Sequence, residues 1–342
     1  VKRALLRLLA VIPVLLALST IVFLAMRWIP GSPATSLAAG GNMNATAEEF
    51  TQSEERIRVA LGLDQPLWKQ YLTFLGDLVT LDFGTSFYGS NSVLKLVGEA
   101  LPATIELTVA AMLIAILIGV VTGVIAAWKK DTVVDGAIRV GATVSFSLPW
   151  FALGILGVVV FGVVLGWLPI IGRLPNSLGY HPTTGFVLLD AILQNRPELV
   201  WPWVKHLILP ATTLALSMAG FITRIVRTAV LEVLGDDFVR TARMKGLSES
   251  AVLRHHVLRN AALPIVTVLG LQFGALLGGS LITEMVFAYP GVGNLLVSAV
   301  HQRDYPIVQG AALAVAFLFV MVNVVVDLLY LVLDPRLRKV TA

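Results

Sequence analysis

Apolar residues in this chain are gathered into long unbroken runs rather than spaced at the intervals of a half-buried strand or a surface helix. Six runs are long enough to cross about 30 Å of hydrocarbon as helices: Ala4–Trp28, Leu101–Trp128, Ala137–Leu168, Leu207–Leu231, Leu263–Phe287 and Ile307–Leu333. The third is longer than a bilayer needs, so it is expected to tilt or to break near Pro149. The pattern predicts an all-α membrane protein of six transmembrane helices.

Two polar segments between the runs are substantial. Pro30–Ala100 carries an acidic amphipathic stretch (Glu48, Glu49, Glu54, Glu55) and the turn-rich run Leu61-Gly62-Leu63-Asp64-Gln65-Pro66-Leu67. Leu67, Tyr71, Leu72, Phe74, Leu75 and Leu78 then recur at helical spacing, so a small folded cap is expected between the first two spans. Pro169–His206 holds five prolines and the pair Trp201 and Trp203, which suits an aromatic belt at the membrane surface. The expected divisions are an N-terminal helix (1–29), the cap (30–100), a core (101–333) containing a loop at 235–264, and a tail (334–342).

Composition agrees with lipid as the main solvent. Hydrophobic residues make up 57% and charged residues 13%, with a mean hydropathy of +0.85, against about a quarter charged in a soluble domain. The absence of cysteine excludes disulfides, thiolate metal sites and cysteine nucleophiles. A net charge of +4 would interest nucleic acid only if it were gathered into a patch, and here it is dispersed. It falls instead on alternate loops: Lys2, Arg3 and Arg7; Lys129, Lys130 and Arg139; Arg224, Arg227, Arg240, Arg243, Lys245, Arg254 and Arg259; Arg336, Arg338 and Lys339. By the positive-inside rule both termini are cytoplasmic. The first run exceeds twenty residues, against 7–15 in a signal peptide, and is read as a retained helix.

Catalytic signatures are missing. The nearest approach to a P-loop, Gly136 to Gly141 followed by Ala142 and Thr143, has no lysine and begins a span. His255 and His256 are adjacent and point about 100° apart on a helix, which is poor geometry for one ion. No metalloprotease or serine-hydrolase motif occurs. Three acids fall inside spans, Glu106, Glu284 and Asp327. Intramembrane carboxylates are costly, which makes these three the candidates for a translocation path or gate, or for the proton relay of a secondary transporter. The bland alternative is local pairing near an interface.

Lipid supplies no hydrophobic drive between helices, so close packing rests on small residues. Gly270, Gly274 and Gly278 recur at spacing four in the fifth span, and Gly119/Gly123 and Gly162/Gly166 repeat the pattern. These are expected to pack helices, within the chain or against a second membrane subunit. Pro13, Pro149, Pro210, Pro264, Pro290 and Pro306 bend or end helices, as in a bundle that lines something.

The segment Gly235–Pro264 is too polar for lipid and too patterned for an idle connector. Phe238, Val239 and Ala242 form a short apolar face. Gly246 suits a left-handed helix end, Ser248 can cap the next helix, and Ala251, Val252, His255 and Leu258 form a second face. A helix, a turn and a helix are expected to lie along the inner membrane surface and to bind a partner.

The run Phe238-Val239-Arg240-Thr241-Ala242-Arg243-Met244-Lys245-Gly246 resembles the EAA loop of permease subunits of binding-protein-dependent ABC importers. His256-Val257-Leu258-Arg259-Asn260-Ala261-Ala262-Leu263-Pro264 resembles the dipeptide/oligopeptide/nickel branch of that family. So do Leu61–Leu67, Leu81-Asp82-Phe83-Gly84-Thr85-Ser86, His206–Pro210, Glu284–Gly293, Arg303-Asp304-Tyr305-Pro306 and Asp334-Pro335-Arg336-Leu337-Arg338. The chain departs from the general pattern where Arg240-Thr241-Ala242 replaces Glu-Ala-Ala. It departs again at His256–Arg259, and both changes look typical of the peptide branch.

The resemblance implies the type I ABC importer permease fold, in the cytoplasmic membrane. Its loop would be a coupling helix seated in a cytoplasmic ATPase, with contacts from Arg240, Thr241, Ala242, Arg243, Lys245, Gly246, Leu247, Ser248, Val252 and Leu253. Implied partners are a second related permease, two ATPase subunits or domains and an extracytoplasmic substrate-binding protein, for which Pro30–Ala100 is the expected docking surface. ATP and Mg would bind those ATPases and no cofactor this chain. The cargo implied is a short peptide, with a nickel complex, glutathione or an oligosaccharide as alternatives.

Overall fold

A computed structural model describes the backbone of residues 2–28, 31–41, 46–89 and 91–333, and the side chains over those ranges except at 2–12, 14, 40, 41 and 326–333. The side chains of Lys2, Arg3, Arg7 and Asp327, the Asp334–Arg338 motif and Lys339 therefore lie outside the described residues. In chain order the helices begin with α1 (Lys2–Trp28), α2 (Pro33–Gly41), α3 (Ala47–Ala60) and α4 (Leu67–Thr80). They continue with α5 (Val93–Trp128), α6 (Val133–Ser147), α7 (Trp150–Gly157), α8 (Val187–Leu193) and α9 (Val200–Leu234). The last are α10 (Asp237–Met244), α11 (Glu249–Ala251), α12 (Leu258–Val286), α13 (Val292–Gln302) and α14 (Tyr305–Leu333). Among the described residues the sole β feature is an isolated bridge between Thr85 and Ser92.

Four helices are long and apolar enough to cross a membrane, and six spans result if each of two bent helix pairs counts as one. The broken third span is one of these pairs. Proline disfavours helical backbone in the residue before it, and Leu148 is extended (ψ 133°) immediately ahead of Pro149. The chain turns 97° there, from α6 into α7 and its π-helical continuation Val158–Val164. Pro264 behaves differently from the boundary expected of it: it sits inside one helical run from Glu249 to Val286.

The chain divides into two compact units, one of residues 1–102 and 290–320, the other of 103–289 and 321–342. In the first, Met26, Val93, Val97, Val292, Tyr305 and Val308 form the core. Helix α3 is opened by a capping box, in which Thr46 Oγ1 accepts from the Glu49 amide and the Glu49 carboxylate accepts from the Thr46 amide. Neither α3 nor α4 buries a residue completely. On α4, Tyr71 and Phe74 pack on Phe23 of α1 at 5.1 and 5.6 Å between ring centres, whereas Leu67 and Leu72 of the expected apolar face are exposed.

The motif segments of this unit meet one another. Asp304 is buried and accepts from the Ser86 hydroxyl and the Phe87 amide, joining the 81–86 run to the 303–306 run. Gln70 donates to the Gln65 carbonyl and accepts from Arg27, which fixes the 61–67 turn to α1.

In the second unit α9 is the axis, packed by α5, α6, α7 and α12. Contact with α5 runs through Gly119 and Gly123, where an added Cβ would lie 2.6 Å from Ile222 and 2.7 Å from Val226. On α9 itself, a Cβ at Gly220 would fall 2.4 Å from the Ala142 carbonyl of α6. The expected packing role holds for Gly119 and Gly123. Gly270 and Gly274 are buried in α12, but Gly278 is exposed with open space around its Cα, because eight residues of a 3.6-residue helix drift about 80° off one stripe. Gly166 lies beyond the helix at a φ of +64°, so Gly162 and Gly166 share no helix face.

Gly220→Ala is expected to cost roughly 1–3 kcal/mol, since the obstacle is backbone that cannot rotate away. Gly278→Ala should instead stabilise by about 0.5–1 kcal/mol, the helix-interior preference for alanine over glycine. Thermal unfolding of the two variants in detergent checks the contrast, and equal shifts would refute the assigned contact.

Candidate functional site

The Gly235–Pro264 loop forms as a helix, a turn and a second helix, but only the first helix is separate. Helix α9 ends at Gly235, α10 follows from Asp237 to Met244, and Gly246 reverses the chain at a φ of +78°, a conformation that glycine adopts without strain. From Glu249 the second helix runs without interruption into α12. Ser248 takes the N-cap position with extended backbone, yet its hydroxyl makes no cap bond and lies 3.4 Å from that of Ser250. Arg243 spans the turn to Glu249, its Nε 3.0 Å from Oε1. Both side chains are exposed, so this pair contributes at most about 1 kcal/mol and serves chiefly to shape the turn.

Burial separates the loop's residues into two sets. Val239, Ala242, Val252 and Val257 face inward, against Val226, Ala229 and Val230 of α9 and Ala261 and Ile265 of α12. Ala242 and Val252, expected to touch a partner, are buried within the chain and seat the loop on it. The exposed set is Arg240, Thr241, Arg243, Met244, Lys245, Gly246, Leu247 and Ser248, with Phe238 beside it and Leu253 half-buried. Phe238 leaves the apolar face drawn from the sequence because Val239 and Ala242 alone point at α9. His255 leaves the second face because residues 252–257 form a π turn. Its wider i→i+5 closure brings Val252 and Val257 to one side.

Two of the three intramembrane acids, Glu106 and Glu284, are engaged in the protein. Glu106 of α5 accepts from Arg173 through Nε (3.0 Å) and Nη2, from the Val187 amide (2.7 Å) and from Trp203 Nε1 (3.0 Å). It is the post to which the segment after α7 is tied, and the Trp203 indole N–H is bound to it. Trp201 is exposed, with Lys205 over its ring at 5.5 Å. Glu284, fully buried in α12, accepts from Thr104 of α5 at 2.7 Å. Asp327 lies on α14, its side chain outside the described residues.

Two carboxylates that sequence reasoning passed over are equally tied. Asp135 at the start of α6 is buried and takes both arms of Arg227 of α9, each at 2.7 Å, together with the Asp131 amide. Asp190 of α8 is buried and accepts from Tyr180 Oη, from the Thr183, Thr184 and Gly185 amides and from the Thr184 hydroxyl. Burial pushes the Asp190 carboxyl up, but these donors outweigh it and hold it at about 2. A lone acid within the apolar run Val187–Leu193 was the available signal. Among the described residues no cluster of His, Asp and Glu could hold a metal ion.

Comparison with known proteins gives a consistent result. The family described as "Binding-protein-dependent transport system inner membrane component" matches residues 119–339, and its N-terminal companion family matches residues 1–108. The dipeptide transport system permease protein DppB of Alkalihalophilus pseudofirmus is 39% identical, over 97% of this chain and 98% of the relative. A di/tripeptide transport system permease protein of Pseudomonas aeruginosa is 40% identical over 96% of each. The DppB protein of Escherichia coli is 38% identical, again over 96% of each. Among solved structures, an inward-facing MetNI methionine ABC transporter superposes with a TM-score of 0.51 at 16% identity, covering 70% of this chain and 97% of that one. That likeness shows the fold, a type I ABC importer permease.

Asp190→Asn is expected to loosen the 180–194 segment. A carboxyl held near 2 contributes roughly 2 kcal/mol above pH 4, and this is lost as pH falls through the folded value. Amide exchange at Thr183–Gly185 should therefore be faster in the variant at pH 7. The two proteins should converge toward pH 2, and identical exchange at neutral pH would contradict the assignment.

Proposed function

Because this chain belongs to the family of inner membrane components of binding-protein-dependent transport systems, we propose that it moves short peptides across the cytoplasmic membrane, driven by an ATPase that docks on the exposed face of the 238–248 loop. The arrangement carrying this reading is a strip of exposed cations and apolar side chains whose inner side is locked to α9 and α12. Burial of Val239 and Val252 is worth about 1.5–3 kcal/mol each, so a partner that pulls on the strip moves the helices under it before the strip detaches. Arg240 and Lys245 present positive charge to an acidic groove, and the bare Gly246 turn allows close approach. Leu247 and Met244 add apolar contact.

The peptide cargo is supported by the relatives, which are named for dipeptide and di/tripeptide transport. A second permease, two ATPase subunits or domains and an extracytoplasmic binding protein complete the importer. ATP and Mg act on the ATPases, and hydrolysis there supplies the free energy that this chain transmits. The loop and both termini face the cytoplasm, in keeping with the basic residues of the 224–259 region. The α2–α4 segment faces outward as the binding protein's landing surface. A proton-coupled carrier would want an intramembrane carboxylate left open to the transport path. Glu106 is instead held by Arg173, a backbone amide and an indole, and Glu284 by a hydroxyl.

Gly246→Asp forces a side chain into a positive-φ turn. It is expected to leave membrane insertion intact while abolishing peptide-stimulated ATP hydrolysis by the reconstituted importer. Full transport by the variant would sink the docking assignment. In vesicles, uptake should stop on ATP depletion and survive collapse of the proton gradient, whereas the reverse would favour the secondary transporter.

A further inference from the structure

Between α6 and α9, a pocket of about 160 Å³ opens beside the Asp135–Arg227 pair and serves no purpose in the proposed coupling. Two of its lining residues, Ala142 and Gly220, lie backbone against backbone, and Ser145 of the same helix crossing donates to the Leu216 carbonyl. Its walls are aromatic: Phe146 and Phe221 lie 5.8 Å apart, and the Arg224 guanidinium stands 5.8 and 5.7 Å from their ring centres. Arg139 and Arg227 are the other cations lining it.

The charges there do not balance. Asp135 is taken by both arms of Arg227, and Asp131, whose charge also acts on Arg227, is exposed beside Lys130. Arg139 reaches the Asp135 carboxylate at 4.0 Å only, with its side chain 61% exposed. Among the described residues Arg224 has no carboxylate within 4 Å and lies exposed on α9. On α6, Phe146 of the lining and Val140 and Val144, the chain neighbours of the lining residues Arg139 and Thr143, are exposed apolar side chains in a segment read as part of a membrane span. An aromatic-walled pocket with surplus guanidinium charge, opening among lipid-compatible side chains, is matched by an amphiphile with an anionic head.

We propose that this pocket binds the phosphate headgroup of an anionic glycerophospholipid. On the proposed orientation Arg139, Arg224 and Arg227 lie toward the cytoplasmic leaflet, where anionic lipid attracts such clusters. Arg139 and Arg224 hold the phosphate, while the Phe146 and Phe221 rings meet the glycerol and upper acyl chain. The neutral pair Asp135–Arg227 forms the rigid back wall. A bound lipid would brace the crossing of α6 and α9 and make the importer sensitive to membrane composition.

The intact importer, purified in detergent with its lipids, provides the test by native mass spectrometry with phosphatidylglycerol and phosphatidylethanolamine as probes. Arg139→Gln with Arg224→Gln is expected to retain about ten-fold less phosphatidylglycerol, with phosphatidylethanolamine unchanged. If the double variant fails to assemble, Arg139→Gln alone carries the comparison, since that side chain is exposed. Equal retention of phosphatidylglycerol by variant and parent, or equal retention of both lipids by the parent, would overturn the proposal. Displacement of the lipid by excess inorganic phosphate would mark a soluble-anion site and overturn the lipid source. A raised KM for peptide with lipid retention unchanged would assign the pocket to the cargo path instead.

Discussion

Backbone lying against backbone along α9 is the constraint from which the larger unit takes its shape. Hydrocarbon rewards no burial of apolar side chains, so helices in a membrane stay together through dispersion contacts and polar ties at short range. Gly119 and Gly123 allow α5 to come within reach of the Ala219 and Thr223 carbonyls, and Gly220 allows α6 the same approach from another side. The hydrogen bonds that reinforce these crossings are made where the helices are closest: Thr122 with Thr223, and Ser145 with the Leu216 carbonyl. A Cβ placed at any of the three glycines would separate the helices and break these bonds too. Proximity and polar ties therefore fail together.

This rigidity gives the loop its mechanical meaning. Helix α10 rests on the end of α9, and the helix after the turn is continuous from Glu249 to Val286. A displacement at the exposed strip is thus applied to the foot of a membrane helix without a flexible joint between them. At the far end of that helix Glu284 is tied to Thr104 of α5. On the proposed reading, a pull by the ATPase acts as leverage on α12 against α5 and α9. The π turn at Val252–Val257 is an irregularity in the lever, as is the internal Pro264, and the π turn brings Val252 and Val257 together onto the support.

Long apolar runs, the break at Pro149, the Gly246 turn and the Gly119/Gly123 contacts were legible because each rests on local chemistry: hydropathy, a missing donor, a left-handed φ, a missing side chain. What could not be read depended on partners distant in sequence or on a change of helical period. Glu106 and Arg173 lie 67 residues apart and Asp135 and Arg227 lie 92 apart, and nothing local marks either pairing. The π turn moved His255 out of the loop's apolar face and brought Val257 in, a shift invisible to a pattern drawn at 3.6 residues per turn. Gly278 failed by arithmetic, since a strict spacing of four does not stay on one face for eight residues. The family motifs were legible as strings, but their reason was not. Ser86 and Asp304 stand 218 positions apart and are joined by a hydrogen bond.

The distribution of charge separates what holds this protein together from what it offers to others. Removing an ion from water costs several kcal/mol even in a relaxed protein, and good geometry must recover that cost. Glu106, Asp135 and Asp190 meet the demand with multiple short bonds, and that investment is incompatible with following a moving cargo. They are cross-links. Cations without such partners, among them Arg240 and Lys245 on the loop and Arg224 at the α6–α9 pocket, stand at the surface, where solvation keeps them cheap until a partner arrives. An acidic protein groove suits the first pair and a lipid phosphate the second site. The interior of this chain is therefore organised to stay fixed, and its unmatched charge is reserved for the molecules that move it or surround it.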